Sequence, residues 1–167
     1  MKKVLWFLVV FLAISIIAPG IARAAAIRTE FTGTYSMTGT ASGDQYVPKS
    51  GIIRIVGAEA SGPITSSDPR LTGTLAIVLN QVFNLNTGEG VGFGSFTVSN
   101  DDGTFEGRFT TKDTGYVLYE GKGVGHGTDA YEGLVVKLDM AGFDWYMDAD
   151  LETNGIIATF TGSILSP

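Results

Sequence analysis

From Arg28 onward the chain alternates in steps of two. Phe31, Gly33, Tyr35 and Met37 share one parity, and Thr32, Thr34, Ser36 and Thr38 share the other. Successive side chains of an extended strand point to opposite faces, so this spacing predicts a strand with one dry and one wet side. The same device returns in Leu71, Gly73, Leu75, Ile77 and Leu79, in Phe105, Gly107 and Phe109, in Phe143, Trp145, Met147 and Ala149, and in Ile156, Ala158, Phe160, Gly162 and Ile164. No stretch after residue 26 carries a sustained stripe at helical spacing. Turn signals separate the runs: Asp101-Asp102-Gly103, Asp113-Thr114-Gly115, Ala141-Gly142 and Asn154-Gly155.

Eight or nine strands follow, at roughly 27–39, 51–57, 71–85, 91–99, 104–111, 116–124, 131–139, 143–151 and 156–165. Ser61-Gly62-Pro63 through Asp68-Pro69 reads as an exposed loop. Short connections favour antiparallel neighbours. An apolar–x–Gly–x–apolar pentad recurs at 31–35, 71–75, 105–109, 131–135 and 160–164, at irregular spacing. Glycine weakens a strand, so its place on the dry parity implies a geometric need, which the coiled wall and tapered interior of a small barrel supply. The expected fold is therefore all-β, a single small antiparallel β-barrel of about eight strands. Two denser runs, at Gly88, Gly90, Gly92 and Gly94 and at Gly121, Gly123, Gly125 and Gly127, have strict period two and no following helix pattern. They read as bare strand faces, not as phosphate loops.

The first residues depart from this pattern. Lys2 and Lys3 precede an apolar run from Val4 to Ala18, closed by Pro19-Gly20 and the small residues around Ala22-Arg23-Ala24. This is the form of a secretory signal peptide over 1–24, with cleavage after Ala24, Ala25 or Ala26, and it leaves a barrel domain over 25–167. The run is short for a spanning helix, so no membrane association is expected after cleavage, and the expected location is extracytoplasmic: periplasm, cell surface or medium. An uncleaved anchor is the rival reading. Removal of residues 1–24 leaves 8 basic against 17 acidic side chains, a net charge of −9. A surface of that sign repels phosphate backbones, and nucleic acid is not an expected partner. The chain has no cysteine, which removes disulfides, thiol catalysis and zinc–thiolate sites.

Candidate chemistry depends on which polar groups fall on the dry parity, because burying one without a partner is costly. Extending the Leu71–Leu79 parity reaches Gln81. In the run after Asp129, the parity of Leu134, Val136, Leu138 and Met140 includes Glu132, which would face inward near a barrel mouth. Tyr35 lies on the dry side of its strand, Tyr119 shares a face with Val117 and Gly121, and Trp145 is the one tryptophan beyond the leader. Glu132 is thus the candidate catalytic acid or base, with Tyr35, Gln81, Tyr119 and Trp145 as candidate ligand-binding residues. The alternative places Glu132 in solvent at a strand end and the tyrosines in the core with wet tips. His126, the single histidine, reads as a surface turn residue or a base at the cavity rim. Asp144, Asp148, Asp150 and Glu152 form a wet acidic stripe whose members diverge along a flat strand, so no metal site is expected.

With its pentads, the Gly-x-Gly-x-Gly strand before Asp102-Gly103 and the Tyr131-Glu132-Gly133 element after a glycine run, the chain resembles the secreted barrels related to allene oxide cyclase and dirigent proteins. The resemblance implies an eight-stranded barrel, often a homo-oligomer, that binds or cyclises a small apolar molecule without cofactor. Leu71 to Thr74 gives a second resemblance, to avidin-type barrels, which line their pockets with several tryptophans. Two functions of different class follow: a cavity protein for a small apolar molecule, or a structural or interaction module filled by its own side chains. Interior volume separates them, since a ligand needs about 300 Å³ or more.

Overall fold

The computed structural model describes residues 26–39, 44–46, 51–114, 118–147 and 154–167. The strands are β1 (Ile27–Gly39), β2 (Asp44–Tyr46), β3 (Ile52–Ser66), β4 (Gly73–Asn84), β5 (Glu89–Ser99), β6 (Gly103–Thr114), β7 (Leu118–Asp129), β8 (Val135–Met147) and β9 (Asn154–Ser166), with a short 3-10 turn at Pro69–Leu71. They form one antiparallel sheet in the order β1-β9-β8-β7-β6-β5-β4-β3-β2. Additional pairing of β1 with β3, as in Tyr35 with Ile64 and Thr38 with Ser61, brings the sheet round on itself. Eight long strands make the ring, and β2 extends it beside the first half of β3, from Arg54 to Val56. The expected signal peptide, residues 1–24, lies outside the described residues, and among those described no helix is long and apolar enough to cross a membrane.

The dry parities meet inside the ring. Phe31, Tyr35, Met37, Leu75, Phe96, Phe105, Phe109, Val136, Phe160 and Ile164 are buried in one core. Inward glycines lie beside these rings in the wall, Gly162 directly opposite Phe31, Gly107 directly opposite Phe96, and Gly125 one strand further on. A Cβ at Gly162 would come within 2.6 Å of Phe31 Cζ, one at Gly107 within 2.6 Å of Phe96 Cε1, and one at Gly125 within 2.8 Å of Phe96 Cζ. The small residues therefore accommodate aromatic bulk, as a tapered interior requires, and their bare faces are occupied.

One end of the barrel is a packed floor. Phe105, fully buried, stacks on Tyr131 with ring centroids 5.0 Å apart. The Tyr131 hydroxyl donates to Asn100 Oδ1 at 2.8 Å, and the same oxygen accepts from the backbone N–H groups of Asp102 and Gly103. Asn100 Nδ2 lies within hydrogen-bonding distance of the carbonyls of Pro69, Arg70 and Thr72. One side chain thus ties three connections together. Beside it, buried Asp68 accepts from the Arg70 backbone N–H at 3.1 Å and from its guanidinium at 2.9 and 2.6 Å, which holds the Asp68 carboxyl below its usual range.

Three parts of the strand map differ from the sequence reading. The expected loop over 61–69 is not one: β3 runs through Gly62 and Pro63 to Ser66. Pro63 lacks an N–H, yet it sits where the β1–β3 ladder is broken, between Tyr35–Ile64 and Thr38–Ser61, so no bond is forfeited. Gly62 lies against the Ser36 carbonyl there, a closeness no side chain would allow. Secondly, 131–139 and 143–151 are not two strands. Ala141-Gly142 is a bulge inside the single strand β8, across which the register with β9 shifts. A further bulge between Ile55 and Ala58, with Gly57 at φ +68°, keeps Ile55 and Ala58 on the same face. Thirdly, of the expected turn Asp113-Thr114-Gly115 the first two residues belong to β6 and the third lies outside the described residues, and Asn154-Gly155 opens β9.

Candidate functional site

The half of the interior away from the floor contains a cavity of about 50 Å³, lined by residues that include Tyr35, Met37, Leu79, Gln81, Thr111, Asp113, Met140 and Phe160. Its walls are apolar except where β4 and β6 contribute Gln81, Thr111 and Asp113. Gln81 Nε2 donates to Asp113 Oδ2 at 2.8 Å, although strand β5 lies between them. The bridge is built by what β5 lacks. Gly92 stands between Gln81 and Thr111 in the ladder, and Gly90 between Phe83 and Asp113. A Cβ at Gly90 would overlap Asp113 Oδ2, and one at Gly92 would overlap Thr111 Oγ1. Two side chains from non-adjacent strands meet over a strip of bare backbone.

Asp113 is only 6% exposed. Burial raises its carboxyl above the usual range, and the hydrogen bond from Gln81 opposes that rise in part. Because the folded-state value is raised, the proton stabilises the fold: this contribution is fully present below the ordinary carboxylate range and is lost as pH rises through the folded value. Asp113→Asn keeps an acceptor for Gln81 and removes the charge. The variant is expected to be more stable than the parent at neutral pH and to lose that advantage in acid, as read from urea midpoints across pH. Gln81→Leu is expected to cost about 1–3 kcal/mol, most of it at neutral pH where the carboxylate has lost its donor.

Of the candidate residues, Gln81 and Tyr35 reach this cavity. The Tyr35 hydroxyl lies 3.8 Å from Met140 Sδ, and its ring sits 6.1 Å from that of Phe160. Glu132 does not face inward. It lies exposed in the β7–β8 connection, where Tyr131 N–H donates to the Thr128 carbonyl, Glu132 N–H to the Asp129 carbonyl and Leu134 N–H to the Tyr131 carbonyl. The strand parity that includes Val136 and Leu138 begins only at Val135, so it cannot be extended back to Glu132. This turn is also at the floor, at the opposite end from the cavity. The backbone of Tyr119 pairs with Asp113 and that of Trp145 with Ile156, but both side chains lie outside the described ones, as do those of Asp144, Asp148, Asp150 and Glu152. His126 is exposed on strand β7 opposite Glu106, not in a turn. Among the described residues no three His, Asp or Glu groups converge as metal ligands would.

Asp113 and Thr111 were not among the sequence candidates. Asp-Thr-Gly carries the composition of a turn, and the strand was expected to end at 111. The available signal was the pair Gly90 and Gly92, a gap in the inward face between the strand that carries Gln81 and the strand that carries Thr111 and Asp113. No family model, curated protein or solved structure matches the chain. The reading of function rests on this geometry.

Proposed function

We propose that the chain acts outside the cytoplasm as a non-catalytic interaction module, with a barrel filled by its own side chains and its contacts on the outer wall. The observation that carries this reading is the interior volume. About 50 Å³ admits a few water-sized occupants. Small-molecule sites begin near 300 Å³. The rings that fill the space next to the inward glycines support the same conclusion, and the leader-like residues 1–24 support export. The test is native mass spectrometry of the protein purified from its source. The expected spectrum contains polypeptide alone, in a whole number of subunits. A stoichiometric organic molecule retained through desalting would overturn the filled-barrel reading.

A second reading has one observation in its favour. A carboxyl buried in an apolar cavity disfavours its own ionisation, and groups of that kind concentrate at working sites. On this reading, supported also by the resemblance to allene oxide cyclase-like barrels, the cavity widens to take a small apolar molecule with one hydrogen-bond donor directed at Asp113. Asp113 would then be the acid or base of any cyclisation or isomerisation. Asp113→Asn separates the readings, because retention of a ligand would be lost in the second and nothing but pH-dependent stability would change in the first.

A further inference from the structure

The outer wall is unevenly apolar. Val78 and Val82 of β4 and Val91 and Phe93 of β5 are exposed, Phe93 to 57%. Val56 of β3 is exposed beside them. Asn80, the polar residue amid this patch, is committed to the fold, since its Oδ1 accepts from the Gly57 N–H at 3.1 Å. Towards the floor the same wall drops away into a groove of about 500 Å³, lined by small outward residues that include Ser61, Ala76, Ser95 and Thr97. A ridge and a hollow therefore lie next to each other on one face.

Their registration is specific. Across β4 and β5 the outward rows are Val82 with Val91, Asn80 with Phe93, Val78 with Ser95, and Ala76 with Thr97. A two-fold axis lying in the contact plane, perpendicular to the strands and level with Leu79 and Gly94, would exchange these rows. Val82 of one copy would face Ala76 of the other, Val91 would face Thr97, and Phe93 would face Ser95. Val82 and Phe93 each meet a small side chain, Val91 meets the similarly sized Thr97, and Val78 of each copy meets Asn80 of the other, in an isologous contact between aligned sheets. On β6 the same operation exchanges Lys112 with Glu106, because Gly94 is opposite Phe109.

Charge favours the same occupant. The chain is strongly acidic and copies of it repel. Along the outer face of β3–β6, however, the exposed charges are Arg54, Arg108 and Lys112 against Glu59, Glu89 and Glu106. This face is thus neutral where the molecule as a whole is negative. We infer that the outer face of β3–β6 is the contact for a second copy of this chain, with the Phe93 ridge of each subunit seated in the Ala76–Ser95 hollow of the other and Lys112 paired with Glu106 across the two-fold. The inference rests on the proposal that the barrel works through its outer wall and names the partner.

Sedimentation velocity of the purified protein over a range of concentrations tests it. The expected result is a reversible species of twice the subunit mass. Phe93→Glu is expected to leave only subunits, with the circular dichroism spectrum and melting temperature of the parent. Lys112→Glu is expected to weaken association at least tenfold, and Lys112→Glu combined with Glu106→Lys to restore it, since the exchange rebuilds both pairs. A parent protein that stays monomeric at all concentrations would overturn the inference, and so would a dimer indifferent to Phe93→Glu or a charge exchange without rescue. None of these outcomes bears on retained ligand, so failure here leaves the filled-barrel reading standing.

Discussion

Gly162→Ala should be among the most damaging single substitutions in the barrel, lowering stability by at least about 3 kcal/mol, the upper part of the range for overpacking a rigid interior. Its added methyl would overlap the Lys137 carbonyl oxygen on β8 and press to 2.6 Å from Phe31 Cζ on β1. Neither neighbour is a flexible tip. Lys137 is paired with Ser163 in the ladder, and Phe31 is held edge-on to Phe160 at 5.9 Å. Relief would require moving a strand, and in a closed ring a displaced strand strains both of its neighbours. Gly57→Ala is the contrasting case. Its backbone is at φ +68° with open space around the missing Cβ, so only conformational strain of about 1–2 kcal/mol is expected. Urea unfolding of the two variants separates crowding from backbone conformation, and equal losses would show that the aromatic–glycine fit is not what makes the wall intolerant.

Phe105→Ala is expected to cost about 3–5 kcal/mol, as for other fully buried rings reduced to a methyl. The residue is completely shielded from solvent, and its removal would also leave the Tyr131 ring without its stacking partner. Tyr131→Phe keeps the stack and removes only the hydroxyl bond to Asn100, so its cost should be nearer 1 kcal/mol. A guanidinium chloride series of the two, with the slope unchanged, would assign most of the floor's stability to apolar contact. A Tyr131→Phe loss as large as that of Phe105→Ala would assign it to the Asn100 network instead.

The ring was legible in the sequence because the wall is regular for most of its length. Leu71 to Leu79 and Ile156 to Ile164 alternate without interruption, and the pentads mark where large and small residues interdigitate. The reading failed where the wall departs from period two. Gly62-Pro63 and Ala141-Gly142 have the composition of turns, but in a coiled sheet the same residues serve a broken ladder and a bulge. A local pattern cannot tell a bend within a strand from a reversal between strands, because the difference lies in what pairs across the sheet. Asp113 was hidden for that reason. Its significance comes from Gln81, which is 32 residues away in the chain and meets it over the bare backbone of Gly90 and Gly92. Glu132 was misplaced by the converse error, in which a strand's parity was projected through a turn that consumes it.

The pairing of Ile27 with Ser166 has a practical consequence. The start of β1 and the end of β9 lie side by side at the floor, opposite the cavity. A linker of a few residues could join them, and new termini could be opened in the 85–88 connection at the far rim without cutting the wall, because closely spaced surface ends make circular permutation tolerable. A tether or fusion attached at either limit would hold the molecule by its base and leave the opposite rim facing outward.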